Sequence, residues 1–208
     1  MTDPTAPPAE GVPQIAERYQ RRADAFEQLV AQVPPDRWDW PSPCTDWDAR
    51  AVLGHVIGMH GAMLAPLDRR LSPASLADDP LGAFRSARAD VESLLADADV
   101  AATVVPTPMG PTRFADHVDQ VVSADLVQHG WDLARATGQD DTIDPAELEQ
   151  LWPMAQAIPE VMRTPGAFGP GIVVYGPVVE VPDDAPLQHR VLGLLGRDPN
   201  FVPGKTGG

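Results

Sequence analysis

The sequence predicts an all-α fold, an antiparallel four-helix bundle with a short C-terminal extension. Three observations carry that expectation. Apolar residues recur with a helical period in four long segments, proline-rich connections separate those segments, and no series of alternating residues marks a set of strands. At 208 residues the chain is long enough to bury a substantial core.

Helix one is expected over residues 14–33. Ile15, Tyr19, Phe26, Leu29, Val30 and Val33 share one face, and Pro34-Pro35 stops it. A rigid link with Trp38 and Trp40 leads to helix two, which begins near Thr45 or Asp46 and continues to about residue 67. Thr45 can cap it, and Asp48 suits the positive end of the helix dipole. Helix three covers residues 80–96, with Leu81, Phe84, Ala87, Val91, Leu94 and Leu95 as its apolar set. The turn-rich stretch 103–112 has room for a short hairpin but too many prolines for central strands. Helix four spans residues 114–137 and closes on Gly138 as its C′ residue. Residues 145–162 read as helical, kinked or broken at Pro153 and Pro159. Residues 185–195 form a last short helix before Gly196. Residues 1–13 are read as a disordered lead-in, 14–164 as the bundle, 165–201 as the extension and 202–208 as a disordered tail.

Composition narrows the function. Fifteen Lys plus Arg against 30 Asp plus Glu give a formal net charge of −15, which repels nucleic-acid backbones and anionic lipid surfaces. Cys44 is the single cysteine, so the chain can form no internal disulfide and has no CxxC site. A reducing cytoplasm is the expected location. The N-terminus has neither the basic nor the apolar region of a signal peptide. The uncharged stretch 51–67 contains His55, His60, three glycines and Pro66, and reads as a helix buried in a bundle rather than a membrane span. No P-loop, GxGxxG, GxSxG or HExxH motif is present.

Helix four holds the chemistry. On a regular helix Val118, Val122, Asp125, His129, Leu133 and Ala136 point within roughly 40° of one direction, so an acid and an imidazole stand where Val and Leu stand. A buried carboxylate needs a cation, hydrogen bonds or a metal, and an Asp/His pair four apart presents two ligands to one ion. The same pair can instead be a local hydrogen-bonded couple within the core. A third ligand would come from helix two. His60 lies on the bulky stripe with Leu53, Val56, Ile57 and Leu64, whereas His55 lies with Ala51, Gly58 and Ala62. Small residues leave room for an ion and a substrate, which favours His55. Three protein ligands leave a coordination position open, as in catalytic zinc sites. Cys44 is read as a packing residue, since no base stands beside it in sequence. His117 reads as a surface or capping residue, Trp131 as packing, Asp132 as a surface group, and Trp38, Trp40 and Trp47 as wedges between linker and bundle.

The segments WPSPCTDWDARAVLGHVIG (residues 40–58) and DLVQHGWDLARATG (residues 125–138) together resemble the metal-binding domain of mycothiol-dependent maleylpyruvate isomerases, within the DinB-like superfamily of four-helix bundles. Phe168-Gly-Pro and the stretch from Ala185 to Pro199 resemble the tail of an actinobacterial metal-binding branch of that family. The resemblance implies a divalent metal, zinc with nickel as the alternative, held by His55, Asp125 and His129. It also implies a low-molecular-weight thiol, mycothiol, as cosubstrate, and a small electrophile as substrate. The isomerase has glutamate where Asp125 stands, one methylene longer. Its separate C-terminal domain is not recognisable here, so maleylpyruvate is not the expected substrate. The expected activity is thiol-dependent S-transfer or isomerisation, and a non-catalytic metal- or ligand-binding bundle is the alternative. The expected form is a monomer or homodimer without nucleic-acid or membrane partners.

Overall fold

The computed structural model of the chain describes residues 11–167 and 173–204. The lead-in up to residue 10, the Phe168-Gly-Pro segment and the tail from residue 205 lie outside the described residues. Within them the regular structure is helical with one small hairpin, and no helix is long and apolar enough to cross a membrane.

Helix α1 (Val12–Ala31) buries Ile15, Tyr19, Ala23, Phe26 and Val30, the three-and-four spacing of a single helical stripe. Helix α2 (Ala49–Leu64) starts later than the sequence suggests. Asp46 sits at φ 64, in the left-handed region, and interrupts the path that Thr45 would have capped. Asp48 takes the cap instead, its carboxylate accepting from the Ala51 amide at 2.7 Å.

The chain divides into two compact units. One takes the residues through Glu27 together with Ile57–Ser123, and the other takes Gln28–Val56 with the described residues from Ala124 onward.

In the first unit, α3 (Pro80–Ala96) starts behind Asp79, whose side chain accepts from the Gly82 amide at 2.8 Å. It buries Phe84, Ala87, Val91, Leu94 and Leu95, and Phe84 meets Phe26 with ring centroids 4.9 Å apart. A short α4 (Ala98–Ala102) leads into β1 (Val104–Val105), which pairs antiparallel with β2 (Thr112–Arg113), the hairpin that the turn-rich stretch allowed. His60 is fully buried here, its Nε2 2.9 Å from the Tyr19 hydroxyl. It is a core histidine.

Helix four is not continuous. It is α5 (Phe114–Val118), a π-helical turn (Asp119–Ser123) and then α6 (Ala124–Thr137). The stripe read from sequence is corrected at Asp125 alone, since Val118, Val122, His129, Leu133 and Ala136 are all buried. Leu126 takes the core position, and the Asp125 side chain keeps 21% exposure.

The second unit centres on α6, which is buried on nearly all sides from Gln128 to Leu133. Gly138 at φ 71 ends it, and the Gln139 amide returns to the Ala134 carbonyl at 2.9 Å, the six-to-one bond of a Schellman stop. Helix α7 (Pro145–Gln156) is capped by Asp144, carries Pro153 in its interior and ends before Pro159. Helix α8 (Leu187–Leu194) follows. Trp131, Leu148, Leu151, Val191, Leu192 and Leu195 form the core joining these helices.

Candidate metal centre

Two local structures deliver the site, both within the second unit. The first is the loop before α2, where the Ser42 amide donates to the Trp47 carbonyl at 2.9 Å and the Ala49 amide to the Trp40 carbonyl at 3.0 Å. Its turn from Cys44 to Trp47 needs a left-handed residue, and Asp46 fills that role without being glycine, at a cost of about 1–2 kcal/mol. Trp47 is thereby laid against two imidazoles, with ring centroids 4.8 Å from His55 and 6.0 Å from His129. The second is α6, where Asp125, His129 and Asp132 follow one another at spacings of four and three and so share a face.

His55, Asp125 and His129 come together. Each offers one ligand atom, and these atoms all lie within 4.8 Å of one another. His55 Nε2 is 3.5 Å from Asp125 Oδ2, and the two imidazole rings meet edge to face at 4.7 Å. Donors bonded tetrahedrally to zinc at about 2.0–2.2 Å stand roughly 3.3–3.5 Å apart. The His55–Asp125 separation thus fits a shared ion with little movement. The set is graded in exposure. His55 keeps 30% and Asp125 21%, while the His129 side chain keeps 4%, so the site is anchored on a buried imidazole and opens past the other two.

Behind His129 lies a polar network absent from the sequence reading. His129 Nδ1 is 2.9 Å from Asp132 Oδ2. The same oxygen accepts from Arg197 Nη2 at 3.1 Å and from the Cys44 thiol at 3.1 Å. Arg197 Nη1 donates to the Leu195 carbonyl at 2.7 Å. Turned so that its oxygen faces the guanidinium, the Gln128 amide accepts from Arg197 as well, at 2.7 Å. Asp132 is completely buried, which corrects its assignment to the surface. Burial works against its charge, yet Arg197 and the His129 bond outweigh it and hold the carboxyl well below its ordinary range. Burial, followed by the charge of Asp132, pushes the Cys44 thiol far above its ordinary value. Cys44 is thus a protonated donor and not a nucleophile. The pKa of Tyr175, in the segment after α7, is raised by burial and then by the charge of Asp125.

The remaining sequence candidates separate cleanly. His60 belongs to the first unit's core. His117 lies half-buried in α5, its pKa lowered by burial. Trp38 is buried under Arg50, and Trp40 carries the Arg37 guanidinium at 4.3 Å, so both act as linker packing. Asp132 could have been suspected from its place three residues after His129, but Arg197 carried no local signal.

The family model described as "Mycothiol maleylpyruvate isomerase N-terminal domain" matches residues 19–134. Two uncharacterized proteins of Mycobacterium tuberculosis, one from strain CDC 1551 and one from strain H37Rv, are each 26% identical over 179 residues, covering 86% of this chain and 95% of the relative. The crystal structure of a histidine-to-alanine variant of the mycothiol-dependent maleylpyruvate isomerase aligns with TM-score 0.50 at 16% identity, over 78% of this chain and 74% of that one. That likeness shows a common all-α, DinB-like fold.

Proposed function

We propose, since the chain belongs to the mycothiol maleylpyruvate isomerase N-terminal domain family, that His55, Asp125 and His129 hold a divalent metal ion and serve a thiol-dependent transferase or isomerase acting on a small electrophile. The observation that carries this reading is the convergence of two imidazoles and one carboxylate within 4.8 Å. A mixed nitrogen and oxygen donor set suits zinc, with nickel the alternative. When bound, such an ion supplies a Lewis acid that makes a thiol ionise near neutral pH.

The chain's own groups supply the rest. His55 and His129 provide neutral nitrogen donors from two different helices, and Asp125 offsets part of the positive charge. Trp47 packs at a tilt against both imidazoles and helps fix the orientation of their rings. Asp125 is one methylene shorter than glutamate, so the shared point lies close to α6.

The test is direct. Protein purified without an affinity tag is assayed for bound metal as wild type and as His129→Ala, with metal expected in the first and lost in the second. Equal, near-zero metal in both sinks the proposal. Mycothiol with a panel of electrophiles then separates the two readings of the site. Zinc-dependent turnover supports an enzyme, whereas metal binding without turnover supports a passive metal-binding bundle.

A further inference from the structure

We infer that Arg197, acting through Asp132, fixes the ring tautomer of His129, so that the turn after the last helix is a positioning element of the metal centre. The consequence for metal binding rests on the reading above, but the tautomer itself does not.

An imidazole can serve a metal only through a nitrogen that carries no proton, and the partner of the other nitrogen decides which one that is. At His129 that partner is Asp132 Oδ2, 2.9 Å from Nδ1. Oδ2 is surrounded by donors. The Arg197 Nη2 and the Cys44 thiol each stand 3.1 Å from it, and Arg197 Nε lies 3.4 Å from Oδ1. A carboxylate facing three donors acts as acceptor throughout, so His129 carries its proton on Nδ1 and leaves Nε2 bare.

Asp132 is fully buried and needs a cation to stay there as a carboxylate. Arg197 is that cation, and the chain goes to some length to place it. Gly196 turns left-handed at φ 79, and the Arg197 amide returns to the Leu192 carbonyl at 2.9 Å, a Schellman stop on α8. A Cβ at Gly196 would stand 3.0 Å from the backbone of Gly176, so that turn has no space for a side chain. Arg197 is 6% exposed, with its Nη1 tied to the Leu195 carbonyl. A lysine could supply the charge but not this fork of donors. Arg197 and Asp132 are therefore positioning residues, since neither is among the three proposed ligands.

The experiment reads the tautomer in the metal-free full chain, by long-range proton–nitrogen correlation of the imidazoles at a pH above the ordinary histidine pKa of about 6.5. Wild type is expected as a single species protonated on Nδ1. Asp132→Leu and Arg197→Met are expected to give a mixture of both tautomers. Asp132→Asn should stay close to wild type, because the two donors at Oδ2, Arg197 Nη2 and the Cys44 thiol, hold the amide oxygen where Oδ2 stood. If either single charge loss prevents folding, the double variant Asp132→Leu/Arg197→Met removes both buried charges together and is read in the same way. A wild-type His129 protonated on Nε2, or an unchanged Nδ1 species in the double variant, overturns the inference. Zinc affinity by chelator competition on the same samples is expected to fall about 10- to 100-fold in Asp132→Leu and to be largely restored in Asp132→Asn. A wild type with the expected tautomer and no zinc affinity refutes the metal reading while leaving the tautomer coupling standing.

Discussion

Replacing each of two left-handed glycines by alanine separates fold strain from site geometry. Gly138 and Gly196 end α6 and α8 at φ 71 and φ 79, so alanine at either incurs about 1–2 kcal/mol of backbone strain. About 0.4–1 kcal/mol of that is returned by the stiffer unfolded chain. Their surroundings differ. A Cβ at Gly138 meets the tip of Arg37, a side chain that can swing away, although it then surrenders its 2.8 Å bond to the Thr137 carbonyl. A Cβ at Gly196 meets the backbone of Gly176, which cannot. Gly138→Ala should therefore destabilise by about 1–2 kcal/mol and Gly196→Ala by about 2–3 kcal/mol. At roughly 2–4 °C per kcal/mol for a chain of this size, melting temperatures fall by about 2–8 °C and about 4–12 °C respectively. Scanning calorimetry in the metal-free state measures both. Zinc competition supplies the sharper contrast, because only the second glycine aims Arg197 at Asp132. Gly196→Ala should weaken zinc binding about tenfold while Gly138→Ala leaves it unchanged. Equal losses of stability with equal zinc affinity would refute the argument that the Gly196 turn positions the site.

Four further outcomes follow from the geometry. His55→Ala should abolish metal retention with little change in apo stability, whereas His60→Ala should do the reverse, losing about 2 kcal/mol or more through the buried Tyr19 contact; chelator competition and denaturant titration check the pair. Asp48→Ala removes the α2 cap and should cost about 1 kcal/mol, read from the shift in urea midpoint. The raised Cys44 thiol means that the folded chain keeps a proton which the unfolded chain releases above about pH 8.5. Stability should then fall by at most about 1.4 kcal/mol per pH unit above that point, and Cys44→Ala should flatten the decline in pH-dependent urea melts. Trp47 lies against both imidazoles, so zinc addition should change tryptophan emission in wild type and leave Trp47→Phe unaffected.

Helix positions were legible where local rules governed them. The apolar set of α3, the stops at Pro34 and Gly138 and the hairpin in 103–112 all follow from side-chain period and turn chemistry. The π-helical turn at Asp119–Ser123 was not, because its residues carry ordinary helical preferences and only the packing of the folded chain asks for the extra residue. The start of α2 was misplaced for a similar reason. Asp46 adopts a backbone conformation that aspartate tolerates but does not announce. In the site, the pair on helix four and the small-residue face of His55 could be read from spacing. The burial of Asp132 could not, since its cation lies 65 residues away and a long-range charge pair leaves no periodic trace.

The most direct measurement is an anomalous difference map, collected at the zinc edge, from a crystal of the untagged chain grown with zinc. The account predicts one strong peak within bonding distance of His55 Nε2, an Asp125 carboxylate oxygen and His129 Nε2, with Asp132 remaining on His129 Nδ1. A map with no peak there, or with its peak beside Cys44 and Asp132, would contradict it.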